Sequence, residues 1–409
     1  MTRTPRLDPS PSRRRAGVLH AAARRAVLSR LTRLREGRLT VGEEGGSRSF
    51  GPGGDLSAGL TVLDPQFYRD VVTGGSVGAG ESYMRGCWRS DDLTALLRLM
   101  LRNREAMDAL ETGLARLSAP LRVAGHWLKR NTRQGSRRNI VAHYDLGNDF
   151  FGLFLDDTRC YSCALFERPE MTLAEASTAK LDLVCRKLSL QAQDRVVEIG
   201  GGWGGFALHA AGRYGCHVTT TTVSPSQFDL ARERVQQAGL ADRVTVLLED
   251  YRDLRGTYDK LVSIEMVEAI GHPYFDTFFR VCRGLLRDGG SMLLQAITID
   301  DRHFERARDQ VDFIKRYIFP GSCMPSVGSL TAASVRAGLR LEHLEDIGLH
   351  YATTLAHWRA NFLGQLALVR QQGYPDTFCR MWEFYLCYCE AGFAERALSD
   401  VQMRFVRLR

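Results

Sequence analysis

The chain has 409 residues, a net charge of +8, 44% hydrophobic and 25% charged residues. This length allows two domains with a sizeable core, and the composition is that of an ordinary globular protein. No stretch approaches 18 consecutive apolar residues, which excludes a transmembrane helix, and the basic N-terminus lacks the apolar run of a signal peptide. Ten scattered cysteines predict reduced thiols, so we expect a soluble cytoplasmic protein without a metal site.

Residues 1–36 form a basic segment with ten arginines and one acid through residue 35. Ala16–Arg35 places apolar residues near helical spacing between arginines, which predicts a basic amphipathic helix for an anionic lipid surface. The same composition also suits a disordered, solvated tail. A second basic cluster, from Lys129 to Arg138, also favours peripheral association with the inner face of the cell membrane. Nucleic acid is disfavoured because no aromatic residue lies in the segment for base stacking.

After Gly37 the pattern predicts short strands at Arg38–Val41 and Leu60–Leu63, separated by a Gly/Ser-rich stretch. Helical periodicity follows to about Leu128 and includes a helix at Asp91–Arg102 capped by Asp91 or Asp92. The predicted segments are the basic N-terminal arm (1–36), a small N-terminal α+β domain (37–130), a linker (131–138) and a larger domain (139–409).

The larger domain alternates strand and helix patterns, which predicts an α/β fold with a doubly wound, mostly parallel sheet. The predicted strands are Arg195–Ile199, His217–Val223, Val244–Leu248, Lys260–Ile264 and Ser291–Gln295, and the predicted helices are Phe206–Tyr214, Pro225–Ala238 and Tyr274–Leu286.

A glycine-rich turn, Gly200–Gly205, ends the first of these strands and opens a helix, which is typical of a nucleotide site. The second strand ends in Thr221–Ser224 instead of the acid that NAD requires, which disfavours a dinucleotide site. Glu249–Tyr251, after the third strand, supplies a carboxylate for an adenine amine and a ring for stacking. This pattern favours a class I, Rossmann-like S-adenosylmethionine (SAM) methyltransferase over a site for another nucleotide-like cofactor.

Six sequence motifs indicate a more specific class of methyltransferase: Asn139–Asp149 (NIVAHYDLGND), Tyr161–Cys163 (YSC), Glu198–Gly205, Val267–His272 (VEAIGH), Tyr317–Gly321 (YIFPG) and His350–Leu355 (HYATTL). They resemble the cyclopropane-fatty-acyl-phospholipid synthase family, which includes the mycolic acid cyclopropane synthases. The resemblance covers roughly residues 55 to 400 in the family's order. It implies a catalytic SAM domain preceded by a smaller lipid-binding domain, with unsaturated phospholipid in the bilayer as substrate and a homodimer as the assembly.

The resemblance and the nucleotide pattern together imply a set of cofactor-binding residues: Tyr161, Ser162, Gly200, Gly201, Gly202, Thr222, Ser224, Gln227, Asp250 and Tyr251. The resemblance also implies a bicarbonate site with five catalytic residues: Cys163, Glu268, Gln295, Ile297 and Tyr351. Gln295 departs from the pattern, because many bacterial members have histidine there. An amide can donate to an anion but cannot carry charge or shuttle a proton.

Methyl transfer to an alkene creates a carbocation, and ring closure then requires removal of a proton from the added methyl group. We expect bicarbonate to be the base, within about 3 Å of that methyl group in a pocket that excludes water. A hydride shift before deprotonation would instead give a methylene-branched chain, which a reductase partner would convert to a methyl branch.

Two further functions stay open on the residues alone, a small-molecule methyltransferase and a non-catalytic lipid-binding protein that keeps the scaffold. The first is disfavoured because the sequence shows no group of polar residues that would bind a small-molecule substrate. The second is disfavoured because the chain retains four residues of the family's site, Tyr161, Cys163, Glu268 and Tyr351. Aromatic residues from Phe378 to Phe393 recur at helical spacing and are predicted to be core.

Overall fold

The computed structural model describes residues 11–111 and 146–408, with side chains described at 19–107 and 146–408. The predicted linker and the basic cluster around it lie outside the described residues. The described chain forms two compact units, 11–111 with 375–384, and 146–374 with 385–408. Two features differ from the predicted segments: the N-terminal helix belongs to the first unit, and so does a short piece of a C-terminal helix.

The first unit contains a four-stranded sheet and helices. Its elements are α1 (Pro11–Leu31), β1 (Gly37–Glu43), β2 (Gly46–Gly53), β3 (Ser57–Val62), α2 (Gln66–Met84), β4 (Trp88–Ser90), α3 (Leu93–Arg102) and α4 (Arg104–Glu111). The strand order is β2-β1-β3-β4, with β1 and β3 parallel and the other pairs antiparallel. Asp92 caps α3, and its carboxylate accepts a hydrogen bond from the Ala95 N–H at 2.9 Å.

Strand β2 occupies the stretch that the sequence pattern assigned to a Gly/Ser-rich connection. It is mostly exposed along its length and pairs with β1 from Glu43↔Gly46 onward. An exposed strand has no buried face, so it shows no alternation of apolar and polar residues, and the pattern could not reveal it.

The amphipathic helix α1 buries its apolar face within the first unit. Val27, Leu28 and Leu31 are buried, and α1 contacts α2 and α4. Arg24 forms an ion pair with Glu43 of β1, with the Arg24 Nε donating at 2.7 Å. Over the part of α1 whose side chains are described, the apolar face therefore packs within the first unit, and contact of the basic segment with lipid stays a prediction.

The second unit is built around a seven-stranded sheet. Its elements are α5 (Gly147–Gly152), α6 (Leu173–Leu188), β5 (Arg195–Ile199), α7 (Gly205–Tyr214), β6 (His217–Thr222), α8 (Pro225–Gln237), β7 (Val244–Leu248), β8 (Tyr258–Ile264), α9 (Val267–Ile270), α10 (Phe275–Leu285), β9 (Leu286–Ile299), α11 (Asp301–Asp309), α12 (Phe313–Tyr317), α13 (Val327–Arg336), β10 (Leu339–Asp346), α14 (Gly348–Gly364), α15 (Leu366–Gln371), α16 (Asp376–Ala394, its first part in the other unit) and β11 (Leu398–Arg407). Short 3₁₀ turns follow β7 and α9.

The strand order is β10-β11-β9-β8-β5-β6-β7. Strands β5 to β9 pair in parallel, which confirms the predicted doubly wound, Rossmann-like sheet, and β11 joins antiparallel to β9 and β10. β5 is almost wholly buried, as a strand covered by helices on both faces requires. Apolar cores lie on the two faces, one around Phe278 and Leu294 and the other around Leu181 and Phe206.

The chain leaves β5 toward β6 on one side, and β8 lies on the other. The carboxyl ends of these strands therefore border a crevice, which is where open α/β sheets bind ligands. Among the described residues, no helix is long and apolar enough to cross a bilayer.

Candidate functional site

The glycine turn after β5 lies close against the neighbouring strand β6. Gly200 and Gly201 both donate their N–H groups to the Thr221 carbonyl, at 3.1 and 2.9 Å. A Cβ at Gly201 would lie 1.8 Å from the Thr220 hydroxyl oxygen and 2.8 Å from a Glu198 carboxyl oxygen. Gly200 and Gly202 have positive φ, at 84° and 54°. The turn therefore tolerates no side chain at its second glycine, and the space beside Gly202 is open, since nothing lies within 4 Å of a Cβ there.

The acid that precedes this turn, Glu198, is buried and accepts a hydrogen bond from the Thr220 hydroxyl at 2.6 Å. Burial raises the pKa of Glu198 to about 7. Around neutral pH it therefore exists in both forms and can either accept or donate beneath the glycine turn.

Three predicted cofactor residues after β6 are brought together. The Thr222 hydroxyl donates to the Gln227 side-chain oxygen at 2.8 Å, and the Ser224 hydroxyl caps α8 by accepting from the Gln227 N–H at 3.4 Å. All three side chains are buried. They fix the loop between β6 and α8 at the edge of the crevice.

The two residues predicted to contact adenine have different surroundings. Asp250 caps the following 3₁₀ turn and accepts two hydrogen bonds from the Arg252 guanidinium, at 2.8 and 2.6 Å. This pairing engages both carboxylate oxygens, so Asp250 is less available to an amine than expected. Tyr251 is buried, and its hydroxyl has no hydrogen-bond partner among the described residues. The glycine turn at Gly200–Gly202, which we call the glycine cradle, and this unpartnered hydroxyl fit a nucleotide cofactor.

Tyr161 and Ser162 lie in the segment between α5 and α6. The Tyr161 ring stacks on Trp358, with centroids 5.1 Å apart, and its hydroxyl shares a hydrogen bond with that of Tyr385 at 2.7 Å. The Ser162 hydroxyl accepts from the Lys180 ammonium at 2.7 Å. Lys180 is fully buried, and sequence reasoning missed it because lysine on a helix is ordinarily a surface residue.

The centre of the predicted catalytic set is a residue that sequence reasoning missed. Glu265 follows β8, and its Oε1 accepts hydrogen bonds from the Cys163 N–H and the Gln295 amide, both at 2.8 Å. Its Oε2 accepts from the Tyr351 hydroxyl at 2.6 Å. The structure therefore brings together Cys163, Gln295 and Tyr351, and all three donate hydrogen bonds to a carboxylate of the chain itself. The available signal was an acid directly after a predicted strand of the sheet.

The Gln295 amide has no N–H left for an anion. It donates to Glu265 and to Asp400, both at 2.8 Å, and its oxygen accepts from the Gln402 amide at 3.0 Å. An amide nitrogen has only two hydrogens to donate. Asp400 and Gln402 come from the antiparallel strand β11, which the sequence pattern did not predict.

Glu268 and Ile297 form the remaining pair of predicted catalytic residues. The Glu268 Oε1 accepts from the Ile297 N–H at 2.5 Å, while its Oε2 is buried with no partner in the part of the chain that the structure describes. Burial, and then the nearby charge of Glu265, raise the pKa of Glu268 to about 8. Glu268 therefore mostly holds a proton at neutral pH.

Three carboxyl groups share this buried region, and they cannot all be ionised. Burial raises the pKa of Glu265 and, together with the charges of Glu265 and Glu268, raises that of Asp400 well above its usual range. Three hydrogen bonds to Glu265 favour its ionised form, and the positive charge of Lys180 does the same. The hydrogen bonds to Glu265 thus oppose the effect of burial on its pKa, whereas the neighbouring carboxyl charges add to it at Asp400.

The predicted bicarbonate site does not fit this arrangement. Its donors were expected to be Gln295, the Tyr351 hydroxyl and a backbone N–H. In the structure these donors already bind the Glu265 carboxylate. A second anion beside this carboxylate would meet like charge with no free donor on Gln295.

Aromatic rings line the same region. Tyr351 stacks on Phe393 with centroids 4.4 Å apart and meets Trp358 edge-on at 6.0 Å. The cluster on α16 is mostly buried, as predicted, but Tyr385 and Phe393 also contact Tyr161 and Tyr351. The faces of such rings stabilise positive charge.

Comparison with known proteins identifies the family. The model for the mycolic acid cyclopropane synthetase family matches residues 131–403. The tuberculostearic acid methyltransferase of Mycobacterium tuberculosis is 38% identical over 83% of this chain and 81% of its own length. The Escherichia coli K12 cyclopropane-fatty-acyl-phospholipid synthase is 37% identical over 87% of this chain and 89% of its own.

Solved structures agree with these relatives. A mycolic acid cyclopropane synthase in complex with SAH and CTAB is 31% identical, with a TM-score of 0.62, and the match covers 66% of this chain and 98% of that one. The Mycobacterium tuberculosis cyclopropane synthase MmaA2 is 30% identical, with the same TM-score of 0.62 and the same coverage. With the glycine cradle and the carboxylate site in place, the chain belongs to the cyclopropane-fatty-acyl-phospholipid synthase family of SAM-dependent methyltransferases.

Proposed function

We propose that this enzyme transfers a one-carbon unit from SAM to the cis double bond of an unsaturated phospholipid acyl chain and forms a cyclopropane ring. The observation that carries the proposal is the pairing of a buried carboxylate, Glu265, with the aromatic rings of Tyr351, Trp358 and Phe393. A reaction through a carbocation needs these two features, a base and a cation-stabilising wall. The name of the 37%-identical Escherichia coli relative supports the phospholipid substrate.

SAM supplies an electrophilic methyl group when it is bound. The glycine turn Gly200–Gly202, Thr222 and Tyr251 would hold it at the carboxyl ends of β5, β6 and β7. The aromatic rings of Tyr161, Tyr351 and Trp358 exclude water, which would otherwise add to the cation and give an alcohol. Their faces also stabilise the positive charge that develops on the acyl chain.

A branched product is the second candidate, and two observations favour it. Gln295 cannot carry charge where many relatives have histidine, and a 38%-identical relative is named a tuberculostearic acid methyltransferase. A hydride shift in the cation before loss of a proton would leave a methylene branch. A separate reductase would then be needed to give a methyl branch.

The test is incubation of the purified protein with SAM and vesicles of a cis-monounsaturated phospholipid, followed by mass spectrometry and proton NMR of the acyl chains. A gain of one CH2 with ring-proton signals upfield of ordinary methylenes supports cyclopropanation. The same mass gain with vinylidene signals supports the branched product. Vesicles of the saturated phospholipid are the control. No mass gain from the unsaturated lipid, with SAM bound, would contradict both candidates.

Peripheral association with the membrane is part of the proposal. The arginines that precede the packed part of α1, Arg13 to Arg15, are its basis in the sequence. Reversing their charge should weaken flotation with anionic vesicles, because each basic residue near such a surface contributes about 1 kcal/mol. Unchanged flotation would contradict a role for this segment.

A further inference from the structure

We propose that the Glu265 carboxylate is the general base of the reaction and that this enzyme therefore works without bicarbonate. The inference rests on the proposed transfer to an unsaturated acyl chain. It concerns the proton that must leave the added methyl group, whichever of the two products forms.

Three hydrogen-bond donors hold the Glu265 carboxylate. The Cys163 N–H, the Gln295 amide and the Tyr351 hydroxyl hold the two oxygens of Glu265 at 2.6 to 2.8 Å. Two oxygens of a carboxylate have the same geometry as two oxygens of bicarbonate. These hydrogen bonds therefore position the side chain as they would position the ion, and they favour its ionised form.

The backbone at Glu265 has an unusual conformation. Glu265 has a positive φ of 48°, which is unfavourable for a residue with a side chain. Its N–H donates to the Gln295 carbonyl at 2.9 Å, so the pairing of β8 with β9 maintains the conformation. Strain of this kind collects at functional sites. Here it directs a carboxylate to the carboxyl edge of the sheet.

Glu265 also differs from its acidic neighbours in exposure. Asp400 is fully buried behind Gln295, and Glu268 is 5% exposed with one oxygen held by the Ile297 N–H. Glu265 is partly exposed as a residue, and its carboxylate is buried among its three hydrogen-bond donors at the end of β8. Glu268 is mostly protonated at neutral pH and is a poorer base there.

The step balances without another reactant. The electron pair of the double bond forms a bond to the donor methyl carbon, and the carbon–sulfur bond breaks. Glu265 then takes one proton from this carbon, and the C–H electron pair closes the ring. The proton remains on Glu265 as a neutral carboxylic acid and passes to solvent after the product leaves.

The test compares wild type with E265Q and E265G in buffer stripped of carbon dioxide and in the same buffer with added bicarbonate. Wild type should be equally active in both. E265Q should lose about 10²- to 10⁴-fold in turnover, because an amide cannot accept the proton, and bicarbonate should not restore it since the side chain still fills the site. E265G should lose as much but recover with bicarbonate, which then has room and donors.

The glycine variant should fold, because glycine adopts a positive φ readily. SAM binding by calorimetry should be unchanged in both variants. E170Q, at an exposed glutamate, is the matched control and should behave as wild type. A wild-type enzyme that requires bicarbonate, or an E265Q variant within a few-fold of wild-type activity, would overturn the inference.

A binding measurement decides the question even if the lipid substrate is wrong. Titration with ¹³C-labelled bicarbonate, followed by NMR line broadening, should show binding to E265G and none above background for wild type. Equal binding to both proteins would overturn the inference. Absence of product from every variant would instead count against the proposed function alone.

Discussion

Replacing Glu268 by glutamine should stabilise the protein at alkaline pH. Its pKa is about 8 in the folded chain against an ordinary value of 4.5. Because the folded value is the higher one, burial of Glu268 carries no ionisation cost below about pH 4.5, and the cost grows as the pH rises toward 8. The Glu268 Oε2 has no partner among the described residues to offset it.

The magnitude follows from the two pKa values. Between pH 5 and pH 9 the free energy of unfolding of E268Q should gain on the order of 4 kcal/mol relative to wild type. Urea denaturation at one-unit pH intervals measures this difference. E170Q, at an exposed glutamate, should give a difference that does not change with pH. A difference between E268Q and wild type that stays constant over this range would refute the assignment of a proton to Glu268.

Three further outcomes are expected. G201A should abolish detectable SAM binding by calorimetry, because its Cβ would lie 1.8 Å from a side-chain oxygen of β6, and unchanged affinity would contradict the cradle. Y351F should reduce turnover by about 10- to 100-fold with unchanged SAM affinity, since it removes a hydrogen bond to the Glu265 carboxylate. L31A should destabilise the first unit by about 2–5 kcal/mol in urea unfolding, whereas L19A, at a residue 56% exposed, should change stability by less than about 0.5 kcal/mol. Equal effects would contradict the packing of α1.

Local patterns were enough to predict the parallel core of the sheet. β5 and β7 have the predicted bounds. Helix α7 begins one residue before its predicted start, and helix α8 ends one residue before its predicted end. Buried parallel strands are continuous apolar runs, and Ser224-Pro225 is a strong helix start, so both signals are local. Two strands were missed: the edge strand β10, which is largely exposed, and β11, which lies between β10 and β9 and pairs antiparallel across a long separation in sequence.

For the site, the sequence alone determined the family and the glycine turn, and it predicted Cys163, Gln295 and Tyr351 as site residues but not Glu265. It could not determine what those side chains bind. Only the tertiary structure brings the donors of Cys163, Gln295 and Tyr351, which are far apart in the chain, onto Glu265. Hydrogen-bond partners depend on distance in space, and one partner, Asp400, comes from a strand that no local pattern indicated. The expected bicarbonate site was therefore a sound interpretation of the motifs, and the fold places a carboxylate of the chain there.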